Sequence, residues 1–193
     1  MWKAADKGER VNGAAYREIV VALPRELTPK QNRQLLEEFV DRVLPGKFHQ
    51  IAIHCPQASL DAGDQPHAHI MFSDRIPDGI PRSPEAMFRR YNHLHPELGG
   101  FKKDSGGMTP VELRQLAKGR RETWAGAQNE FLERHGHAVR VDPRSYRDRG
   151  ISSQVEQHLG PAAIRSMSKG DKESFGSLRS LKAAQRPLES NVE

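Results

Sequence analysis

Nine histidines stand among the 193 residues, and three pairs share the His-x-His spacing: His67/His69, His93/His95 and His135/His137. Imidazole is the commonest protein metal ligand and the usual proton carrier near neutral pH. The three pairs differ in context. His135-Gly136-His137 straddles a helix end, where cationic histidine beside the last carbonyls is a common structural choice. His93-Leu94-His95-Pro96 falls in a loop. Only His67 and His69 sit in a strand pattern, Pro66-His67-Ala68-His69-Ile70-Met71-Phe72. Its two-residue period puts both imidazoles on one face, with Ala68, Ile70 and Phe72 on the other. In Gln50-Ile51-Ala52-Ile53-His54 the two isoleucines claim the core side, so His54 points to the opposite face. Paired as a hairpin, these strands set His54 across from His67. Three imidazoles on one open sheet face suit a divalent cation and leave coordination positions for substrate oxygens. Glu18, in the middle of another strand, is placed to fix an imidazole tautomer from behind. Without His54, His-x-His in a strand reads as a solvated sheet face; with it, the metal reading is preferred.

The elements that must carry these residues follow from pattern and punctuation. Residues 2 to 12 read as a polar helix ended by Asn12-Gly13, and Tyr16 to Ala22 as a strand closed by Pro24. Thr28-Pro29-Lys30-Gln31 is a capping box with proline at the first helical position. The helix it opens carries Leu35, Leu36, Phe39, Val40 and Val43 on one face and stops at Pro45-Gly46. Strands are expected at Phe48–His54 and His67–Phe72, joined by a polar loop containing Asp61-Ala62-Gly63-Asp64. Ser83-Pro84 starts a helix through Phe88, and residues 92–108, rich in Gly and His, read as a loop. A second capping box, Thr109-Pro110-Val111-Glu112, opens a long helix to Gly136, with Leu113, Leu116, Trp124, Phe131 and Leu132 as its buried stripe. A short strand is expected at Ala138–Val141. The order predicts an α/β (α+β-like) fold with a small, mostly antiparallel central sheet flanked by helices. In domain terms, residues 1–13 form a leading helix, 14–160 the core, and 161–193 a polar tail, disordered or partly helical.

Composition narrows the class. Hydrophobic residues are 36% of the chain, enough for one modest core. No apolar run approaches the roughly 18 residues of a membrane span, and the start of the chain is polar, so a cytoplasmic location without membrane insertion is expected. The single cysteine, Cys55, excludes an internal disulfide framework and a cysteine-based zinc ribbon. Lys plus Arg number 30 and Asp plus Glu 25, a formal charge of +5. Residues 82–121 hold nine basic and four acidic groups, so that segment carries the whole excess. Such a concentration is the footprint of a polyanion partner or the solvated face of a helix. Phe88-Arg89-Arg90-Tyr91 and Phe101-Lys102-Lys103 set rings beside cations, as a single-stranded nucleic acid would use them, bases on rings and phosphates on cations. Arg120 and Arg121 extend the basic set, while Phe88 equally suits the core.

The strand Pro66-His67-Ala68-His69-Ile70-Met71 resembles the metal-binding motif of HUH endonucleases, specifically mobilisation relaxases of the MobA/MobL type. The similarity extends to Trp2…Ala4-Ala5-Asp6…Glu9-Arg10…Asn12-Gly13 and Glu18…Ala22-Leu23-Pro24-Arg25-Glu26-Leu27. It continues through Arg89-Arg90-Tyr91-Asn92, Trp124…Asn129 and Gly136…Arg140-Val141-Asp142…Arg144-Ser145-Tyr146…Gly150-Ile151…His158-Leu159-Gly160-Pro161, covering about residues 2 to 161. The resemblance implies an HUH relaxase-type fold and a metal-dependent enzyme that nicks and rejoins one DNA strand at a plasmid transfer origin. It implies His54, His67 and His69 as ligands of Mg²⁺ or Mn²⁺, and Glu18 as their support. Arg89, Arg90, Tyr91, Lys102, Lys103, Arg120 and Arg121 become expected contacts to single-stranded DNA. Accessory mobilisation proteins and a conjugative coupling protein are the implied partners.

One departure bears on catalysis. The family's nucleophilic tyrosine lies in an N-terminal segment ahead of the helix that Trp2 opens here, so the resemblance implies a core lacking its first strand and that tyrosine. Of the three tyrosines present, Tyr16 reads first as an aromatic packing at the strand entry; because it shares a strand face with Glu18, it is also the candidate nucleophile to be set against that reading. Tyr91 reads as packing or base stacking, and Tyr146 as packing. The chain is then either a relaxase core that binds metal and DNA but cleaves weakly, or a non-catalytic DNA-binding mobilisation protein. A metal-dependent hydrolase of another kind is the weaker third reading.

Overall fold

Strand β3 (His67–Phe72) is the middle strand of a three-stranded sheet, paired antiparallel with β1 (Arg17–Ala22) on one side and β2 (His49–His54) on the other. The computed structural model describes residues 1–57, 63–150, 159 and 161–189. Ile151, His158, Gly160, Asp61 and Ala62, each part of a sequence pattern above, lie outside the described residues. The described residues divide into two compact units, Met1–His54 with Pro66–Pro143, and Cys55–Gln65 with the segment from Arg144 onward.

In the first unit the alternation of β3 sorts the structure into layers. Ala68, Ile70 and Phe72 are buried on one sheet face, together with Val21 of β1. Helices α2 (Pro29–Val43) and α4 (Pro110–Arg134) cover that face. Leu35, Leu36, Phe39 and Val40 meet Trp124, Ala127, Phe131 and Leu132 in one continuous core. The Phe39 and Trp124 rings pack edge-to-face at 4.9 Å, an arrangement aromatic quadrupoles favour. Both capping boxes form as expected, Thr28 with Gln31 and Thr109 with Glu112. The amide of Gln31 also reaches His135 Nδ1 at 3.0 Å, so the start of α2 is tied to the end of α4. Leu113 and Leu116 are only half-buried, because the apolar face of α4 meets the core from Trp124 onward.

Beyond β3 the chain departs from the sequence expectation. Residues 92–108 are not simply a loop: a 3₁₀ turn spans Pro96–Leu98, and β5 (Lys102–Lys103) pairs with β4 (Arg75–Ile76). No strand forms at Ala138–Val141. There the backbone of Val141 is held by the Asn129 side chain, which donates to its carbonyl at 2.9 Å and accepts from its N–H at 2.7 Å. With these groups satisfied by an amide side chain, no sheet partner is required. Helix α1 (Trp2–Gly8) is shorter than expected, since Glu9 is extended. It packs on α3 (Pro84–Met87), and a Cβ on Gly8 would stand 2.8 Å from Phe88 Cβ.

Arg75 fixes this region. Its guanidinium donates to the carbonyls of Phe88 (2.6 Å), Arg89 (3.0 Å) and Phe101 (2.5 Å), and to Glu9 Oε1 (2.6 Å). Lys103 reaches the other Glu9 oxygen at 3.0 Å. Both Arg75 and Glu9 side chains are about 95% buried, 5% and 4% exposed. The second unit contains a bridge between Gln57 and Asp64 and the helices α5 (Pro161–Ser166) and α6 (Lys169–Glu189). At the start of α6 the Ser168 hydroxyl accepts from Asp171 N–H at 3.1 Å. No helix among the described residues is long and apolar enough to cross a membrane.

Removing one partner of a buried ion pair strands the other, so Arg75→Met is expected to cost about 3–5 kcal/mol in urea unfolding. Burial alone would push the Glu9 carboxyl up, but the hydrogen bonds from Arg75 and Lys103 hold it below the usual value. A lowered folded value stabilises the protein above the unfolded carboxyl's value of about 4.3 and ceases to do so as pH falls through the folded one. The stability difference between wild type and Glu9→Gln should therefore be full at neutral pH and shrink on acidification below about pH 4.

Candidate functional site

The sheet face opposite the helices carries the histidines. His54 and His67 are direct partners in the β2–β3 ladder, and His69 follows two residues along β3. Opposite His69 stand Ala52 on β2 and Val20 on β1, and opposite His67 on the β1 side stands Ala22. These short side chains leave the imidazoles uncovered by the sheet itself. One nitrogen from each of His54, His67 and His69 lies within 4.8 Å of the others. The ring centroids are 5.1–5.4 Å apart and the rings are inclined to one another rather than stacked. Metal–nitrogen bonds of about 2.1 Å require ligand nitrogens roughly 3–3.5 Å apart. Small side-chain rotations close that gap, so the three residues fit a cation.

Glu18 completes the arrangement. Its Oε1 lies 2.9 Å from His69 Nδ1. A carboxylate only accepts, so the proton sits on Nδ1 and a neutral His69 presents its Nε2 lone pair away from Glu18. Both partners are partly exposed, 34% and 44%. The pair therefore adds little to stability, and its effect is to orient the ring.

Tyr16 is not brought to the histidines. It lies four residues before Val20, which is opposite His69, a separation of roughly 13 Å along an extended chain. Its ring stands edge-on to Trp2 at 6.3 Å, while the Trp2 indole donates to Gln50 Oε1 at 3.0 Å.

The basic residues separate into two groups. Arg90, Tyr91, Lys102 and Lys103 line one concavity beside the β4–β5 ladder, and Arg89 is exposed next to it. Arg120 and Arg121 line another, along β1, together with Trp124 and Phe39. Arg120 lies over the Phe72 ring at 5.1 Å, on the core side of the sheet. Its Nε is buried without a hydrogen-bond partner among the described residues, and burial is the main influence pushing its guanidinium below the usual value. Phe88 and Phe101 are buried at 2% and 5% exposure, so neither ring is a stacking platform. Arg75 and Arg82 occupy their faces instead. Arg82 is structural: it pairs with Asp78 and donates to the carbonyls of Gly99 and Pro96. Arg10 and Arg75, which join the first concavity, were not among the DNA contacts expected from the sequence. No local signal marks them, because they arrive from elements far apart in the chain.

An antiparallel α/β fold, helices on one sheet face and a histidine cluster with a supporting carboxylate on the other, defines the class of protein. Within it the chain belongs to the MobA/MobL family, whose sequence model matches residues 1–169. It is 46% identical over 154 residues to the 43 kDa relaxation protein of Salmonella typhimurium, covering 79% of this chain and 42% of that one. It is 38% identical over 171 residues to mobilization protein A of Escherichia coli, covering 88% and 23%. The chain thus spans less than half the length of these relatives. A structure solved for the molecular basis of vancomycin resistance transfer in Staphylococcus aureus superposes with a TM-score of 0.51 at 28% identity, over 75% of this chain and 64% of that one.

The Glu18 contact is checked by ¹⁵N NMR of the histidine rings. His69 should show the Nδ1–H tautomer in the wild type and lose that preference in Glu18→Ala, with His54 little changed.

Proposed function

We propose that this chain is the metal- and single-stranded-DNA-binding centre of a relaxase, acting in plasmid mobilisation by holding the scissile phosphate of a transfer origin for nicking and rejoining. The observation that carries this reading is the convergence of His54, His67 and His69 on the open sheet face, in a chain of the MobA/MobL family. The three imidazoles would hold one divalent cation. Three nitrogen donors favour Mn²⁺ over Mg²⁺, which prefers oxygen ligands and gives up its water reluctantly. When bound, such a cation neutralises charge on a phosphodiester and leaves open positions for its oxygens. Glu18 holds His69 in the ligating tautomer, and the short Ala22 and Ala52 side chains leave room for the DNA backbone. Tyr16, packed on Trp2, is the nucleophile candidate whose role the nicking test decides.

Manganese titration followed by electron paramagnetic resonance should show one site in the wild type and none in His67→Ala/His69→Ala. Glu18→Ala should weaken that site by roughly 10–100-fold. In the presence of Mn²⁺, single-stranded origin DNA should bind the double histidine variant more weakly than wild type. DNA binding wholly indifferent to the histidines would instead support a non-catalytic DNA-binding role. With supercoiled plasmid bearing the origin, nicking abolished by Tyr16→Phe would establish Tyr16 as the nucleophile.

A further inference from the structure

The basic concavity beside the β4–β5 ladder encloses about 290 Å³ and is lined by Arg10, Arg90, Tyr91, Lys102 and Lys103, with no acidic side chain on its walls. Its cations are not equivalent. Arg75 and Lys103 are committed to the buried Glu9 carboxylate. Arg10, Arg90 and Lys102 have no carboxylate partner among the described residues, although they come from three separate segments. Like charges gathered around one hollow repel one another until an anion enters. The backbone that gathers them is tightly fixed: Gly100 N–H donates to Arg90 O at 3.2 Å and Phe101 N–H to Met87 O at 2.9 Å. A Cβ on Gly100 would lie 2.3 Å from Arg89 O, so the two segments meet this closely only at glycine. Tyr91 is the one aromatic of this wall that is not buried, since Phe101 is covered.

We propose that this concavity is a nucleotide subsite for single-stranded DNA, separate from the histidine centre. One base stacks on Tyr91 while flanking phosphates rest on Arg10, Arg90 and Lys102. A lone phosphate would leave the ring and much of the volume unused, and a base within a duplex cannot reach a ring inside a hollow. The subsite lies past the C-terminal end of β3, and the histidines lie in its first half. Six residues separate His69 from Arg75, a span of at most roughly 20 Å, and none of the three histidines lines the concavity. This inference rests on the reading of the chain as a single-stranded-DNA-binding protein, and it assigns binding to a place the metal does not reach.

The test uses a fluorescein-labelled oligothymidylate of roughly 12 nucleotides and fluorescence anisotropy across a salt series. Tyr91→Ala should weaken binding by roughly 5- to 100-fold, the size of one lost base stack, and Tyr91→Phe should restore most of it. Arg90→Ala and Lys102→Ala should each lower the slope of log affinity against log salt by about 0.7. Manganese binding should be unchanged in all four variants, which also reports that they are folded. The proposal is overturned if Tyr91→Ala binds oligothymidylate like wild type, or if Tyr91→Phe is as weak as Tyr91→Ala. It is equally overturned if inorganic phosphate or duplex DNA competes as well as unlabelled oligothymidylate. Failure of the relaxase reading looks different: manganese fails to bind the wild type, or survives loss of His67 and His69, while the Tyr91 effect persists.

Discussion

Strand β3 has to satisfy two chemistries six residues long, and almost everything else in the first unit follows from that constraint. Its odd positions, His67, His69 and Met71, are half-buried and carry the two imidazoles, while its even positions, Ala68, Ile70 and Phe72, are apolar and buried. Because it is central, it dictates register to both neighbours at once: His67 faces Ala22 on one side and His54 on the other. A slip of one residue in either ladder would send imidazole into the helix-covered core and isoleucine into solvent. The apolar pressure of Ile70 and Phe72 against Phe39, Trp124 and Phe131 thus acts at a distance on the histidines. It fixes which way they point without touching them.

That coupling explains why the histidine centre was legible in the sequence. Period-two alternation in His67–Phe72 and in Gln50–His54 specifies faces, and face plus hairpin pairing is enough to bring three imidazoles together. The capping boxes at Thr28 and Thr109 were legible for a similar reason, since their hydrogen bonds span only three residues. The β4–β5 ladder was not. Two residues a strand carry no periodicity, and Ser73-Asp74-Arg75-Ile76 gives no hint that Arg75 gathers three carbonyls from residues 88–101. Ala138–Val141 misled in the opposite direction. Its alternation suits a strand, but one amide side chain, Asn129, supplies the hydrogen bonds that a neighbouring strand would have given.

The basic segment shows how far a charge count can be trusted. Of nine cations between residues 82 and 121, Arg82 and Lys103 serve buried or half-buried ion pairs, and Arg120 lies over a core phenylalanine. The rings that flank the charges in sequence are mostly interior, with Tyr91 left to face outward. What remains is a smaller and more localised set of free cations than composition suggested, and one of its members, Arg10, comes from outside the basic segment altogether. Position in three dimensions, not density along the chain, separates structural arginines from available ones.

The Arg75–Glu9 contact carries a consequence for the order in which the molecule is made. Ribosomal synthesis delivers α1 well before α3 and the partners of Glu9, which lie at residues 75–103 and include the guanidinium that neutralises that carboxylate. Until those residues emerge, the short α1 has little to hold it, because a seven-residue helix is marginal alone. The sheet and α2 need no such wait once β3 is out. Helix α1, made before the sheet, is therefore among the last of these elements to settle, and its long-range closure belongs to the slow end of folding.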